Sequence, residues 1–291
     1  MKHYYHCATK GLEDDVLFKD EKEFIAGMNR IGICHLKALK GHPVLVICFC
    51  LMDNHVHFIL YGTYEDCMGF MNDYRILTEM WLGHHGEPGE KGKKWEYDAW
   101  LIPNKEKLVE KIVYVHRNPI AARMNVLPGG YRWSSASLVY ADNSLQISLL
   151  NTIGSLSKRE RYSRFNSRVD FPDDWTYLPN DMIWPGCYTE YLRMEKIFGS
   201  ARSYQFELYQ RVEEAVNSEM YSDRISLPDG DVIKIASEIS EKFFGEEDID
   251  LLSVEQRVKV CMELKKRAGY NLGQFARIIH ISYKDLKRIL G

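Results

Sequence analysis

The sequence lacks several features that would place it in a membrane, in a secretory pathway or among zinc-finger proteins. No apolar run approaches the roughly 20 residues that a membrane-spanning helix needs. The first residues, MKHYYHCATKG, contain no apolar signal-peptide core. The seven cysteines show no recurring spacing, and no second Cys or His pair accompanies Cys48 and Cys50. We therefore expect a cytoplasmic protein with reduced thiols, no structural zinc and no membrane association.

Internal repeats and low-complexity runs are also absent, so the chain reads as successive folded units. Its 291 residues are 45% hydrophobic, which is enough for one large core or two smaller ones. The net charge of −3 is unevenly distributed. Residues 1–140 are neutral, residues 141–250 carry 12 basic and 21 acidic side chains, and residues 251–291 carry 9 basic and 3 acidic ones. The basic C-terminus favours a phosphate-binding surface there, although a solvated helix face has the same composition.

Hydrophobic periodicity in the N-terminal part predicts the order β-α-β-β-α-β, followed by a third helix. Strands are predicted at 3–8, 44–52, 55–61 and 95–102, and helices at 20–38 and 64–82. Asp53 and Asn54 separate the two central apolar runs, which is typical of a β-hairpin. The third helix is predicted to begin near Asn104. We expect an α+β fold: a ferredoxin-like antiparallel sheet with helices on one face, followed by a helical C-terminal extension.

These patterns divide the chain at 1–140, 141–250 and 251–291. The middle segment combines prolines with mixed charge, and its sequence suggests no role. The last segment predicts helices at 254–268, 272–279 and 283–290, with Ser282 and Asp285 at capping-box spacing. The last two helices are similar to a helix-turn-helix and would present Arg277, Lys284, Lys287 and Arg288 to DNA. A helical hairpin packed on the main domain is the alternative.

Two histidines in the third predicted strand, at 55–61, share one of its faces. Side chains two residues apart on a strand point the same way, so His55 and His57 can converge on a metal ion. Half-exposed strand histidines without a ligand are the commoner explanation of this pattern alone. In the third helix, Tyr114 and Asn118 are four residues apart and share a helix face. A phenol and an amide oxygen beside two imidazoles suit metal-assisted attack on a phosphodiester. A buried Tyr114 and a capping role for Asn118 are the alternatives.

Three motifs in this order resemble a known family. LMDNHVHFIL resembles the signature of the HUH superfamily of single-strand DNA nucleases and transposases. YVHRNPIAARM followed by YRWSSASLVY resembles the REP-associated single-tyrosine transposases. The resemblance covers roughly residues 1–140.

The resemblance implies that His55, His57 and Asn118 hold Mg²⁺ or Mn²⁺, and that Tyr114 becomes joined to a DNA 5′ phosphate. It also implies a single-stranded substrate near a hairpin, a free 3′ hydroxyl as product, and a homodimer, as in the insertion-sequence relatives. Imidazole ligands leave a late transition ion such as Zn²⁺ open. Further DNA-binding candidates beside the site are Arg117, Arg123 and Arg132. A host-adapted nickase, or a DNA-binding regulator that has lost catalysis, would share much of this sequence.

Overall fold

The computed structural model describes residues 1–10, 16–41, 43–85, 95–122, 124, 126–218, 227, 229–267 and 272–290. The predicted element order is observed in the N-terminal part, and the α+β class is confirmed. The sheet has the order β2-β3-β1-β4, and every neighbouring pair is antiparallel. Its elements are β1 (His3–Lys10), α1 (Glu21–Gly41), β2 (Leu45–Leu51), β3 (Val56–Gly62), α2 (Tyr64–His85) and β4 (Glu96–Ile102).

Helices cover both faces of this sheet. In β3, the Phe58 ring packs edge-on against Phe70 and Tyr74 of α2. The neighbouring His57 contacts Tyr114 in α3 (Lys105–His116). Because successive strand residues point to opposite faces, α2 and α3 lie on opposite sides of the sheet. The expected arrangement on one face holds for α1 and α2, the two helices of the β-α-β-β-α-β order, which pack together; the trailing helix α3 covers the other face.

The first core extends well beyond residue 140 and takes in side chains as far as Leu208. Tyr188 fits beside Gly32 of α1, where an added Cβ would lie 2.9 Å from its ring. His116 of α3 bonds Tyr204 at 2.8 Å. The segment after 140 thus belongs to the body of the first domain. The helices and strands that follow α3 in this domain are α4 (Asn118–Ala121), α5 (Asn143–Ser148), β5 (Asn151–Thr152), α6 (Lys158–Phe165), β6 (Thr176–Tyr177), α7 (Tyr191–Phe198) and α8 (Ala201–Ser218).

A second core forms between the last helices. Its buried side chains run from Val232 to Leu286, and Val16 from the N-terminal part joins them. The expected boundary at residue 250 would separate helices that share this core. We call these helices the C-terminal unit: α9 (Asp229–Phe244), α10 (Val254–Arg267), α11 (Leu272–Ile278) and α12 (Tyr283–Leu290).

At the start of α12, Ser282 Oγ accepts from Asp285 N at 3.2 Å, which is the N-cap half of the predicted capping box, and donates to the Asp285 carboxylate at 2.7 Å. None of the seven cysteines forms a disulfide. Among the described helices, none combines the length and the apolar character needed to cross a membrane.

Candidate metal and tyrosine site

The two predicted histidines lie next to each other at one end of the sheet. Asp53 and Asn54 form the turn between β2 and β3, and Met52 N donates to His55 O at 2.8 Å to close it. His55 directly precedes β3, whereas His57 lies within it. Their ring centroids are 4.8 Å apart, with the rings edge to face. The predicted convergence of the two imidazoles is observed, although His55 belongs to the turn and not to the strand.

Asn118 completes the group from the opposite side. It is buried at the start of α4, where its Nδ2 donates to the carbonyls of Tyr114 at 3.1 Å and Val115 at 3.3 Å. These two bonds fix the orientation of the amide, so its oxygen faces His55, with Oδ1 3.1 Å from Nε2. The amide also interacts with His57. Two imidazoles and one amide oxygen therefore meet at one point.

The hydrogen bonds of His55 suit a cation between these groups. Its Nδ1 lies 2.8 Å from Asn54 Oδ1, an acceptor, and in the tautomer that donates this bond Nδ1 carries the proton of a neutral ring. The Nε2 lone pair then faces Asn118 Oδ1, another electron-rich atom. Adjacent ligands of an octahedral Mg²⁺ or Mn²⁺ with bonds of about 2.1 Å stand about 3.0 Å apart. The observed separation of 3.1 Å fits that arrangement.

No set of three or more His, Cys, Asp and Glu side chains among the described residues could hold a metal ion. The amide of Asn118 is therefore essential to the candidate centre. The chemistry of this donor set fits a divalent cation with mixed nitrogen and oxygen ligands.

His6 is a member of the site that sequence reasoning missed. It lies on β1, and its Nε2 is 3.1 Å from Nδ1 of His57. This contact leaves His57 Nε2 for a metal, as outer partners of ligating histidines commonly do. Burial, followed by the neighbouring His55 and His6, lowers the pKa of His57 well below its ordinary value, while burial and Lys111 lower the pKa of His6 to about 4. Both rings are thus neutral near pH 7, the form in which imidazole binds metals.

Tyr114 stands at the open side of this group. Its side chain is 48% exposed, while its ring lies edge-on to His57 at 5.4 Å and to His6 at 5.7 Å. The phenol is therefore accessible to a large substrate and adjacent to the candidate ligands. Lys111, one helical turn earlier, places its ammonium 5.2 Å from the Tyr114 ring. Sequence reasoning missed Lys111 too, although its spacing of three from Tyr114 carried the signal.

The inner side of α3 is anchored to the first core. His116 is completely buried and bonds Tyr204 Oη at 2.8 Å and Ser135 Oγ at 2.9 Å. Asn104 caps the helix by accepting from Lys107 N at 2.9 Å. Because both ends of α3 are fixed, Tyr114 points outward from this helix. The next helix, α4, begins at Asn118.

The predicted DNA-binding residues are dispersed. Arg117 caps α3 beside Asn118 and is half-buried. Arg132 pairs with Glu21 at 2.9 Å. Lys287 and Arg288 are exposed on α12, where Arg288 lies 3.4 Å from Asp285. Arg123 and the Lys284 side chain lie outside the described residues.

Arg277 is in a different setting from the exposed one that the sequence suggested. Its side chain is 14% exposed and pairs with the fully buried Asp229 at 2.9 Å. A helix-turn-helix that presents Arg277 to DNA in this conformation is therefore not observed. The sequence could not reveal this, because it does not tell which face of α11 is covered.

A cavity of about 270 Å³ separates the candidate centre from the C-terminal unit. Both sides contribute polar groups to its wall: Asn54, His55 and Asn118 from the first domain, and Asp229, Gln274 and Arg277 from the C-terminal unit. Burial and the nearby Asp229 raise the pKa of Asp53, which lies in the same wall. The site thus lies where the two cores meet. Comparisons of the chain with protein-family models, curated proteins and solved structures found no match.

Proposed function

We propose that the protein is a metal-dependent endonuclease and strand transferase that acts on single-stranded DNA through Tyr114. The observation that carries the proposal is the convergence of His55, His57 and Asn118 beside an exposed tyrosine. A buried, purely structural cluster would not need an accessible phenol at its edge. The sequence resemblance to the HUH superfamily supports the same chemistry and supplies the substrate class.

His55, His57 and Asn118 would hold the ion. When bound, a divalent cation withdraws negative charge from a phosphodiester and orients it for attack. The neutral state of His57 keeps its Nε2 available as a ligand, and His6 holds the ring in place through Nδ1. Lys111 adds a positive charge at the same edge, where it would attract the DNA backbone.

Tyr114 acts as the nucleophile in this proposal. Its phenolic oxygen attacks phosphorus and forms an O–P bond while the bond from phosphorus to the 3′ oxygen breaks. The phenol proton is transferred, directly or through solvent, to the leaving oxygen, which departs as a free 3′ hydroxyl. The covalent phosphotyrosine conserves the bond energy, so a second 3′ hydroxyl can reverse the step and join a new strand.

The test uses single-stranded hairpin oligonucleotides from the flanks of the protein's own gene, labelled at the 5′ or the 3′ end, with Mn²⁺. We expect the 3′-labelled strand to become linked to the protein on denaturing gels and the 5′-labelled fragment to be released. Tyr114→Phe should abolish the adduct. Tyr162→Phe is the matched control, because Tyr162 is similarly exposed at 47% but lies in α6. Hairpins that bind without forming an adduct at any divalent metal would overturn the nuclease proposal.

The C-terminal unit favours a second candidate, a DNA-binding regulator. Its exposed Lys287 and Arg288 follow a capped turn at Ser282. Binding without cleavage in the same assay would support this candidate. A host-adapted nickase would form the adduct and differ only in its genomic target. A homodimer and a cytoplasmic location remain predictions.

A further inference from the structure

We infer that the C-terminal unit positions a metal ligand: α9 and α11 hold the turn of Asp53 and Asn54, and through it His55, in the conformation that the candidate centre requires. This inference rests on the proposed function. It gives Asp229 and Arg277 a role as positioning residues in place of the DNA contact that the sequence suggested for Arg277.

The backbones of the two domains touch at Gly230. A Cβ added there would lie 1.8 Å from the carbonyl oxygen of Lys19, so only glycine fits at this contact. The segment that includes Lys19 also bonds the turn, because Leu17 N and Phe18 N donate to Asp53 O at 2.6 and 2.9 Å. The start of α9 therefore contacts this segment, and the segment in turn is hydrogen-bonded to the turn of Asp53 and Asn54.

Polar contacts join α9 directly to the same turn. Asp229 N donates to the Asp53 carboxylate at 2.8 Å. The Asp229 carboxylate in turn accepts from Arg277 Nη2 at 3.0 and 2.9 Å and from Gln274 Nε2 at 2.7 Å. Asp229 is 0% and Asp53 is 4% exposed, so these bonds exclude solvent. Such a network holds its members in one geometry.

The turn of Asp53 and Asn54 determines the orientation of the His55 ring, a proposed metal ligand. Asn54 Oδ1 lies 2.8 Å from His55 Nδ1, so this contact orients the ring and favours the tautomer that leaves a lone pair on Nε2. Outer partners of this kind typically change metal affinity by about 10–100-fold when they are lost. Displacing α9 would shift the turn and with it the imidazole that faces Asn118.

The test measures Mn²⁺ affinity of the full-length protein from the loss of the free-ion electron paramagnetic resonance signal, with no DNA present. Gly230→Ala separates α9 from Lys19 while alanine favours the helix itself, so the C-terminal unit keeps its fold. Gly83→Ala is the matched control, because an added Cβ there meets nothing within 4 Å. Arg277→Met is the second variant. His57→Ala removes a proposed metal ligand and so tests whether Mn²⁺ binds at the candidate centre.

We expect Gly230→Ala and Arg277→Met to weaken Mn²⁺ binding by about 10-fold or more, and Gly83→Ala to bind as the unaltered protein does. Circular dichroism at the titration temperature confirms that each variant is folded. If Gly230→Ala and Arg277→Met bind Mn²⁺ normally while His57→Ala does not, the positioning role is refuted and the metal centre stands. If the unaltered protein and His57→Ala bind Mn²⁺ with equal affinity, the proposed metal centre is refuted, and the positioning role is refuted with it.

Discussion

Replacing Arg277 with methionine tests a buried charge contact between α9 and α11. In the folded protein, Arg277 directs Nε and Nη2 to the Asp229 carboxylate at distances of 2.9–3.3 Å. Asp229 is fully buried and Arg277 is 14% exposed. Methionine retains much of the side-chain length but donates no hydrogen bond, so the carboxylate loses its charged partner.

Removing one member of a buried ion pair costs about 3–5 kcal/mol. Gln274 still donates to the Asp229 carboxylate at 2.7 Å after the change, which partly compensates the remaining charge. We therefore expect a loss at the lower end, about 3 kcal/mol in the free energy of unfolding of the C-terminal unit. Arg288→Met is the control, because Arg288 is 79% exposed in its pair with Asp285 and such pairs contribute about 0–1 kcal/mol.

Urea unfolding followed by far-ultraviolet circular dichroism measures both variants, because α9 to α12 contribute strongly to the helical signal. Equal stabilities for Arg277→Met and Arg288→Met would refute the reasoning. A variant that keeps its stability but loses DNA affinity would restore Arg277 to the DNA-binding surface that its sequence position suggested.

Three further predictions concern stability and DNA affinity. Burial lowers the pKa of His116 from its ordinary value of 6.5 to about 3, so unfolding takes up a proton between these two pH values. The contribution of neutral His116 to stability is therefore fully present above pH 6.5. It falls by about 1.4 kcal/mol for each pH unit below that, until pH 3. His116→Gln should reduce the slope of urea-measured stability against pH by that amount, and an unchanged slope would contradict the assignment. Gly27→Ala places a Cβ 2.8 Å from a core ring and should cost about 1–3 kcal/mol in thermal unfolding, whereas Gly83→Ala should cost nothing; equal losses would argue against tight packing at α1. Replacing Lys287 or Arg288 with alanine should reduce the dependence of log DNA affinity on log salt by about one per residue, and identical salt slopes would exclude α12 from the interface.

Local patterns were sufficient to predict much of the first domain. The apolar runs on either side of Asp53 and Asn54 predicted the hairpin, and α3 begins at Lys105, next to its predicted start near Asn104. The spacing of Tyr114 and Asn118 correctly predicted that they lie on one side of α3 and its continuation. These features depend on residues near each other in sequence, where periodicity and capping are informative.

The parts that escaped prediction depend on long-range pairing. His6 meets His57 only because β1 pairs with β3 in a register that places Ala8 opposite His57. Arg277 is buried because Asp229, 48 residues earlier, faces it across the second core. Neither the register of distant strands nor the buried face of a short helix follows from local composition.

The bond from Asp229 to Asp53 spans 176 residues of sequence. During synthesis at roughly 5–20 residues per second, the hairpin that carries the histidines leaves the ribosome roughly 10–35 seconds before α9 does. The nascent first domain therefore spends this interval without the contact that completes its histidine turn. If that contact sets metal affinity, as proposed, the nascent first domain binds a divalent ion only weakly until α9 has left the ribosome.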